Sequence, residues 1–199
     1  MSASTWLASP PDDHLEHGGL VLRAWRFGDG PGLLAAVLES IEELHPWMPW
    51  ARRDYGPLDA EAFIEHAIRA RRDGSGFLYA IIEHDDLAGA IGLHRRDDPP
   101  RLEIGYWVHT AHAGRGLATR SVRLLAGAAL RLPEVTCLEI RHDRANTRSG
   151  NVPRRVGFAM IRDQARQPTA PGETGREYVW RLTDAADITV GSSPPPRAT

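Results

Sequence analysis

The sequence that decides the fold runs from Glu103 to Thr119 and is EIGYWVHTAHAGRGLAT. Its first half has the character of a strand, and its last residues open an apolar helix that continues to about Arg131. Gly114 and Gly116 lie in the loop between the two. Glycines let a backbone approach a ligand closely, and the free N–H groups of a helix N-terminus attract anions. The junction therefore predicts a phosphate-binding site, with pyrophosphate as the natural ligand.

Two alternatives for this loop are open from the residues alone. A dinucleotide-binding fingerprint also joins a strand, a glycine loop and a helix, but it requires a glycine or alanine where Thr119 stands. It also requires an acid at the end of a following strand, a place that neither Glu134 nor Glu139 has. The second alternative is that the glycines only ease a tight strand-to-helix turn.

Composition narrows the classes of function. The chain has 199 residues, 24 basic and 26 acidic side chains, and a formal net charge of −2. Every basic residue is arginine, so a Schiff-base lysine, a lysine general base and a P-loop lysine are excluded. Interleaved acids and bases argue against a nucleic-acid partner. Without a signal peptide or a long apolar run, we expect a cytoplasmic protein with no membrane partner.

Outward from the loop, the pattern predicts one α/β domain. The predicted element order is β, α, α, β, β, β, α, β, α, β, β, and three consecutive strands argue against a doubly wound fold. The first helix is predicted over 33–44, and Asp97 to Pro100 form a turn. Cys137 is expected to be buried filler in a strand over 135–141. Residues 1–17 and 184–199 are expected to be flexible or disordered, which leaves 18–183 as the domain.

Two motifs resemble a known family. Residues 113–118, Ala-Gly-Arg-Gly-Leu-Ala, resemble motif A of the GNAT superfamily of acyl-CoA N-acyltransferases, Gln/Arg-x-x-Gly-x-Gly/Ala, with Ala113 replacing the usual first residue. Residues 146–158, NTRSGNVPRRVGF, are similar to the Asn-x-x-Ser-x-x-Val-x-x-x-x-Gly-Phe stretch of motif B in the RimJ/RimL-like branch. The resemblance covers roughly 19–183, and two motifs in the right order are more specific than one.

The resemblance implies a fold and an activity. The fold would be the GNAT fold, a mixed, mostly antiparallel twisted sheet of about seven strands flanked by about four helices. The activity would be transfer of an acyl group from acetyl-CoA to a primary amine, in a ternary complex and without a metal. The acceptor would be a protein N-terminus or a small-molecule amine. Some relatives pair their subunits, so a homodimer is a further expectation.

The resemblance also implies which residues hold acetyl-CoA. Backbone groups at the strand end would face the thioester, the loop would hold the pyrophosphate, and the second motif would contact the pantetheine arm. Because the chain has no lysine, side-chain help to the phosphates would come from Arg115, Arg120 or Arg148. The implied set is Trp107, Val108, Ala113, Gly114, Arg115, Gly116, Leu117, Ala118, Thr119, Asn146 and Ser149.

Two catalytic residues are predicted. Glu103 shares a strand face with Gly105 and Trp107 by the period of two, and the family often uses a carboxylate on this strand as the base. The alternative is a surface glutamate paired with Arg95 or Arg101. Following the family motif, Ser149 would protonate the departing thiol.

The second motif has a simpler interpretation as well. Asn146 and Ser149 can instead act as local helix caps. Pro153 adds a complication, because a proline inside this helix predicts a kink or a late helix start.

The stretch HPWMPW over 45–50 is the predicted acceptor side. The resemblance places this loop beside the acceptor, so Trp47, Met48 and Trp50 are the candidate substrate contacts, although one tryptophan can equally belong to the core. His109 and His112 are further titratable candidates, but they have no third ligand nearby and do not predict a metal site.

Two other functions fit the same motifs. One is a non-catalytic acyl-CoA-binding or sensing domain, which the departures at Ala113 and Pro153 favour. The other is an acyltransferase that uses succinyl-CoA, since arginines near the thioester can hold a carboxylate.

Overall fold

The computed structural model describes residues 10–96 and 101–189. Within these ranges one eight-stranded sheet has the order β1-β2-β3-β4-β5-β6-β8-β7. All neighbouring strands are antiparallel except β5 and β6, which are parallel. The strands are β1 His14–His17, β2 Leu20–Ala24, β3 Gly76–Glu83, β4 Asp86–Arg96, β5 Arg101–Val108, β6 Leu138–Asp143, β7 Ala159–Ala165 and β8 Arg176–Leu182.

Five α-helices flank this sheet in the described part of the chain. They are α1 Gly30–Glu39, α2 Ile41–Leu44, α3 Pro57–Asp73, α4 Leu117–Ala129 and α5 Thr147–Val156. The mixed, mostly antiparallel architecture confirms the expected fold, with eight strands and five helices where about seven and about four were predicted. None of the helices in these ranges has the length and apolar character that crossing a bilayer requires.

Both chain ends differ from expectation. His14–His17 pairs with β2 through the two-residue Gly18-Gly19 turn, so the expectation of a flexible segment is wrong for these four residues. A Gly-Gly pair between two short strands is a hairpin signal that the sequence contained. At the other end, Ala185–Asp187 forms a 3-10 turn, and the Thr189 N–H donates to the Val156 carbonyl at 2.9 Å. Residues 1–9, 190–199 and the predicted turn over 97–100 lie outside the described residues.

Three element boundaries also differ. The single helix predicted over 33–44 is divided at Ser40 into α1 and α2. Strand β6 begins at Leu138 rather than at 135, because a turn precedes it, in which the Val135 N–H donates to the Leu132 carbonyl. Cys137, just before the strand, is buried as predicted.

The sheet buries both of its faces. On one face α4 and α5 pack against β5 and β6, where Leu102, Ile104 and Ile140 are nearly inaccessible to solvent. On the other face α1 and α3 pack against β3 and β4, in a second cluster that includes Trp107. Successive residues of β5 therefore serve different cores, as the strand period of two requires. This central position allows β5 to contribute to pockets on both faces.

Strands β5 and β6 pair over only two residues and then separate. Leu102 is opposite Leu138, and Glu103 is opposite Glu139. Beyond these pairs, residues 105–108 have β4 as a neighbour on one side only. Their remaining backbone groups have no strand partner there, which opens a gap in the sheet at the end of β5.

Glu139 joins three strands where this gap begins. Its carboxylate is almost fully buried and lies 2.6 Å from Arg181 Nη2 of β8 and 2.9 Å from Arg141 Nη2 of β6. Arg101 Nη1 of β5 lies 3.7 Å away. Burial by itself would raise the pKa of Glu139, but hydrogen bonds from Arg181 and Arg141 outweigh it and lower the pKa. The carboxylate stays ionised and holds the last paired residues of β5 and β6 together.

Gly89 allows β4 to approach the end of β5. Its φ is +145°, a conformation that L side chains rarely adopt. A Cβ at this position would press on the Trp107 carbonyl oxygen and lie 2.9 Å from the Val108 Cα. Glycine is therefore required where β4 supports the strand end.

We expect Gly89→Ala to destabilise the protein by at least about 2 kcal/mol, because backbone strain of this kind costs about 1–3 kcal/mol and the backbone contact adds to it. The measurement is urea unfolding at equilibrium. Gly32→Ala is the control: it lies in α1, with its nearest neighbour 3.8 Å from a new Cβ. This change should stabilise by about 0.5 kcal/mol. Equal unfolding free energies for the two variants would contradict the role of Gly89.

Candidate active site

Two cavities meet at the end of β5. The loop cavity, about 450 Å³, lies among the 110–119 loop, the start of α5 and the 42–48 segment. The aromatic cavity, about 470 Å³, lies on the α1 and α3 face of the sheet. Met48, Tyr106 and Trp107 line both cavities. The two cavities therefore share a wall at the gap where β5 ends.

The glycine loop forms an anion cradle in the loop cavity. Gly116 is the N-cap residue of α4, and no side chain caps this helix start. Gly114 and Gly116 have φ of +78° and +76°, and a Cβ on either would meet nothing within 4 Å. The first N–H groups of α4 are thus left for a ligand, and the positive end of the helix dipole favours an anion. This geometry fits the diphosphate of coenzyme A.

Most of the residues predicted to hold the donor line this cavity. The exception in the loop is Arg115, which is exposed and not part of the wall. The residues on the wall are Trp107, Val108, Ala113, Gly114, Gly116, Leu117, Ala118, Thr119, Asn146 and Ser149.

Two arginines of α5 bring positive charge to this wall. Arg148 was predicted, whereas Arg155 was missed. It lies seven residues, or two helical turns, after Arg148, so the helical period contained the signal.

A buried carboxylate holds the loop from beneath. Glu83, at the end of β3, pairs with Arg120 of α4, and its Oε2 lies 3.1 Å from His112 Nδ1. Burial by itself would raise the pKa of Glu83, but the hydrogen bonds from Arg120 and His112 outweigh it and lower the pKa. Arg120, one of the three arginines predicted near the phosphates, is therefore bound to Glu83.

His109 fixes the start of the loop. Its Nδ1 accepts a hydrogen bond from the Ala111 N–H at 3.1 Å, so the proton of the neutral ring is on Nε2, 3.0 Å from Glu39 Oε2. The Thr110 N–H donates to the hydroxyl of Ser40, the residue at which the first helix is divided, at 3.0 Å.

The two loop histidines thus bind separate carboxylates, His109 to Glu39 and His112 to Glu83. Among residues 10–96 and 101–189, no group of three or more potential metal ligands is present.

The second motif begins with a helix cap. Asn146 Oδ1 accepts the Ser149 N–H at 3.1 Å, so Asn146 is the N-cap of α5 and lines the loop cavity as well. The Ser149 hydroxyl faces Tyr106 of β5, with the two oxygens 3.1 Å apart. Burial raises the pKa of Tyr106 above its usual range, so its hydroxyl keeps its proton.

Tyr106 also compensates for the proline in α5. The helix runs through Pro153 to Val156, so a late helix start is the wrong prediction. Proline lacks the N–H that would bond to the Ser149 carbonyl, and the Tyr106 hydroxyl donates to that carbonyl at 3.0 Å instead. Because Pro153 leaves this carbonyl free, the hydrogen bond from Tyr106 can attach α5 to β5 across the gap.

We expect Tyr106→Phe to cost about 1–3 kcal/mol of unfolding free energy, since it leaves the Ser149 carbonyl without its donor. In a Pro153→Ala background this cost should fall by about 1 kcal/mol, because the alanine supplies a backbone N–H to the same carbonyl. A double-mutant cycle by urea unfolding measures this coupling. Tyr178→Phe is the control and should show no coupling. If Tyr106→Phe costs the same in both backgrounds, the carbonyl is not what the tyrosine satisfies.

We expect Glu83→Gln to destabilise by about 1–3 kcal/mol at pH 7, because the variant loses charge-assisted hydrogen bonds. The folded-state pKa of Glu83 lies below its ordinary 4.5, so this stabilisation is complete above that pH and is lost as the pH falls through the folded-state pKa. The unfolding free energies of the wild type and of Glu83→Gln, measured from pH 7 to pH 3, should therefore converge at the acid end. Glu42→Gln is the control: it removes only the exposed ion pair with Arg53 and should lower the unfolding free energy by at most about 1 kcal/mol. A pH-independent difference for Glu83→Gln would contradict a stabilising role of the ionised carboxylate.

Glu103 lies in the aromatic cavity, together with Gly105 and Trp107 as the period of two predicts. Its Oε2 accepts a hydrogen bond from Arg96 Nε at 3.1 Å and lies 3.5 Å from Arg141 Nε. The carboxylate therefore faces the cavity and is also ion-paired, although to different arginines from those expected.

Aromatic rings form much of this cavity. Trp50 lies 6.1 Å from Trp107 and 6.0 Å from Tyr55 between ring centroids, and Phe63 extends the wall. Apart from Glu103 and Arg96, charge on this wall comes from Arg52 and Asp59, which pair at 3.0 Å. The other titratable side chains on this wall are those of Tyr55, His66, His94 and Tyr106.

The 45–50 loop crosses both cavities. Trp47 lines only the loop cavity, Trp50 only the aromatic cavity, and Met48 lines both. Trp47 and Trp50, both predicted beside the acceptor, thus line different cavities. The loop is held by the Gly172 N–H, which donates to the Pro46 carbonyl at 2.8 Å.

An anion cradle for a nucleotide-bearing donor, joined through a sheet gap to a second cavity, defines a group-transfer enzyme of the acyl-CoA type. A family model described as the acetyltransferase (GNAT) domain matches residues 19–159. The chain belongs to this family of acetyltransferases.

Named relatives are similar over most of their length. The Bacillus subtilis (strain 168) protein YdaF, provisionally named a ribosomal N-acetyltransferase, is 29% identical over 135 residues, which cover 65% of this chain and 72% of the relative. The Escherichia coli (strain K12) ribosomal-protein-serine acetyltransferase is 22% identical over 129 residues, 64% of this chain and 72% of the relative. RimL, a ribosomal L7/L12 alpha-N-protein acetyltransferase solved with coenzyme A, has a TM-score of 0.81 at 19% identity, covering 87% of this chain and 99% of that one.

Proposed function

We propose that this acetyltransferase moves the acetyl group of acetyl-CoA to a primary amine that enters from the aromatic cavity, the α-amine of a protein N-terminus being the first candidate. The observation that carries the proposal is the meeting of the two cavities at Met48, Tyr106 and Trp107. The donor and the acceptor would each bind in a separate cavity. Direct transfer requires only that the amine and the thioester carbon come into contact where the two cavities share a wall. The ribosomal-protein acceptors named for the relatives support a protein N-terminus.

On the donor side, backbone N–H groups of 114–119 would bind the diphosphate, with Arg148 and Arg155 beside them. The backbone of Trp107 and Val108, at the strand gap, would face the thioester and polarise its carbonyl. Asn146 would contact the pantetheine arm.

Ser149 would donate a proton to the departing thiol. Tyr106 gives its own proton to the Ser149 carbonyl, so the Ser149 hydroxyl is the donor in the contact between the two hydroxyls and would turn from the Tyr106 oxygen to the thiolate. Continuity of α5 through Pro153 keeps that hydroxyl at the cavity wall, which weakens the case for a non-catalytic sensor.

We expect Gly116→Glu to lower the affinity for acetyl-CoA at least 100-fold, because the added carboxylate projects into the cradle that the diphosphate requires. Isothermal titration calorimetry measures the affinity. Gly19→Glu is a matched control: both glycines have a φ of +76° and empty space at the Cβ, but Gly19 lies in the β1–β2 turn. This control should bind acetyl-CoA like the wild type. Undiminished binding by a folded Gly116→Glu variant would remove the loop from the donor site.

Activity is tested by release of CoA thiol with a panel of amines and N-terminal peptides of ribosomal proteins, with acetyl-CoA and succinyl-CoA as donors. Turnover with acetyl-CoA and at least one primary amine is the expected result. Tight acetyl-CoA binding without turnover on any acceptor would favour the sensing domain, and a preference for succinyl-CoA would change the donor.

A further inference from the structure

The acceptor's ammonium group must lose a proton before its nitrogen can attack a thioester, and the aromatic cavity contains six side chains that can be considered for this task. They are Tyr55, Asp59, His66, His94, Glu103 and Tyr106. Burial raises the pKa of Tyr106, which keeps its proton. The contacts of these residues differ, and the differences favour one of them.

Tyr55 and Asp59 are poorly suited. Burial raises the pKa of Tyr55 to about 12, so it stays a neutral phenol. Asp59 accepts the Gly56 N–H at 2.9 Å and a hydrogen bond from Arg52 at 3.0 Å. These two hydrogen bonds lower the pKa of Asp59 and fix its carboxylate at the start of α3. His66 is on the exposed side of α3, at the rim of the cavity.

Glu103 is occupied by its arginine partners. One of its carboxylate oxygens, Oε2, is the atom that both Arg96 and Arg141 approach, at 3.1 and 3.5 Å. Two guanidinium groups at one oxygen hold the carboxylate in place and make it suited to stabilising a nearby cation such as an imidazolium.

His94 has the opposite surroundings. It is the cross-strand partner of Glu103, and its Nε2 lies 3.4 Å from where a Cβ on Gly105 would be, so the ring covers the β5 backbone between Glu103 and Trp107. The ring is half-buried, and neither of its nitrogens has a hydrogen-bond partner within residues 10–96 and 101–189. A nitrogen lone pair in the cavity is therefore available to a ligand or to water.

The charges around His94 are suited to a proton acceptor. Burial lowers its pKa below the ordinary 6.5, Glu103 of β5 opposes this shift, and Arg96 of β4 and His66 of α3 add to it. The more distant charges of the wall, Arg52 and Asp59, neutralise each other. His94 is thus a neutral imidazole at pH 7 with a carboxylate opposite it, ready to stabilise an imidazolium when one forms.

We propose that His94 receives, through water in the aromatic cavity, the proton that the acceptor's ammonium group loses, and that Glu103 is a positioning residue that stabilises the resulting imidazolium. This inference rests on the proposed function. An N–H bond of the ammonium group breaks, its electron pair stays on nitrogen, and the proton binds the imidazole. The neutral amine then forms the C–N bond to the thioester carbon as the C–S bond breaks. The thiolate takes the proton of the Ser149 hydroxyl, and the new amide nitrogen loses its second proton to water, from which the Ser149 oxygen regains one. The imidazolium later returns its proton to solvent.

The first test compares His94→Gln with the wild type by steady-state kinetics from pH 5.5 to 9. We expect kcat to fall on the order of 100-fold at pH 7, with unchanged acetyl-CoA affinity by calorimetry. The wild-type profile should fall in acid below an apparent pKa under 6.5, and His94→Gln should lose that limb. Glu103→Gln should keep the limb and move it to lower pH. A His94→Gln enzyme with the wild-type kcat and profile overturns the proposal.

The second test separates proton transfer from a structural role. Imidazole added to the solution should raise the kcat of His94→Ala at least tenfold, since the deleted ring leaves room for it in the cavity. His17→Ala, an exposed histidine of β1, is the control and should neither lose activity nor respond to imidazole. Loss of kcat in His94→Ala without rescue, together with an unchanged acid limb in His94→Gln, overturns the proposal. A wild-type enzyme that shows no amine-dependent release of CoA thiol with any primary amine overturns the proposed function and this inference with it.

Discussion

The short parallel pairing of β5 with β6 is the constraint on which the site depends. Only Leu102 and Glu103 find partners on β6, and the buried Glu139, bound by arginines of three strands, holds the sheet closed up to that point. Beyond it, the end of β5 is free of a strand partner on one side, and both cavities reach it. A continuous sheet would satisfy more backbone hydrogen bonds, but it would separate the donor from the acceptor.

Ion pairs that contain arginine give this opening its shape, and their pattern follows from the absence of lysine. A guanidinium group is planar and stays charged, so it can bind a buried carboxylate through two nitrogens and remain beside it at any physiological pH. Glu83 fixes the glycine loop through Arg120 in this way. Arginines near the donor are therefore divided into one that supports the loop and two, Arg148 and Arg155, that line the cavity.

Two residues near the site depart from helix propensity or helical spacing, and a tertiary contact accompanies each departure. Pro153 removes a helix hydrogen bond, and the freed carbonyl is where Tyr106 of β5 binds α5. The helix that apolar spacing predicted to be continuous is interrupted at Ser40, whose hydroxyl accepts the Thr110 N–H at the start of the glycine loop. Violations of local propensity are expected at functional sites, where tertiary contacts compensate for them. Neither contact is readable from spacing, since its partners are more than 40 residues apart in the chain.

The order of strands and helices and the glycine loop at a helix start could be predicted from the sequence, because strand alternation, helical spacing and glycine placement are local properties that contacts within a few residues establish. The family and its mixed sheet followed from the resemblance of two short motifs. The sequence also placed Glu103 on the same face as Trp107, since the period of a strand is local too. Three features followed from tertiary contacts instead. Arg96 and Arg141 hold Glu103, Trp47 and Trp50 are in different cavities, and His94 lies opposite Glu103 with ring nitrogens that no group of residues 10–96 and 101–189 engages. These features depend on which side chains, distant in the sequence, are brought next to a charge or a cavity wall. The packing of the two sheet faces determines those neighbours.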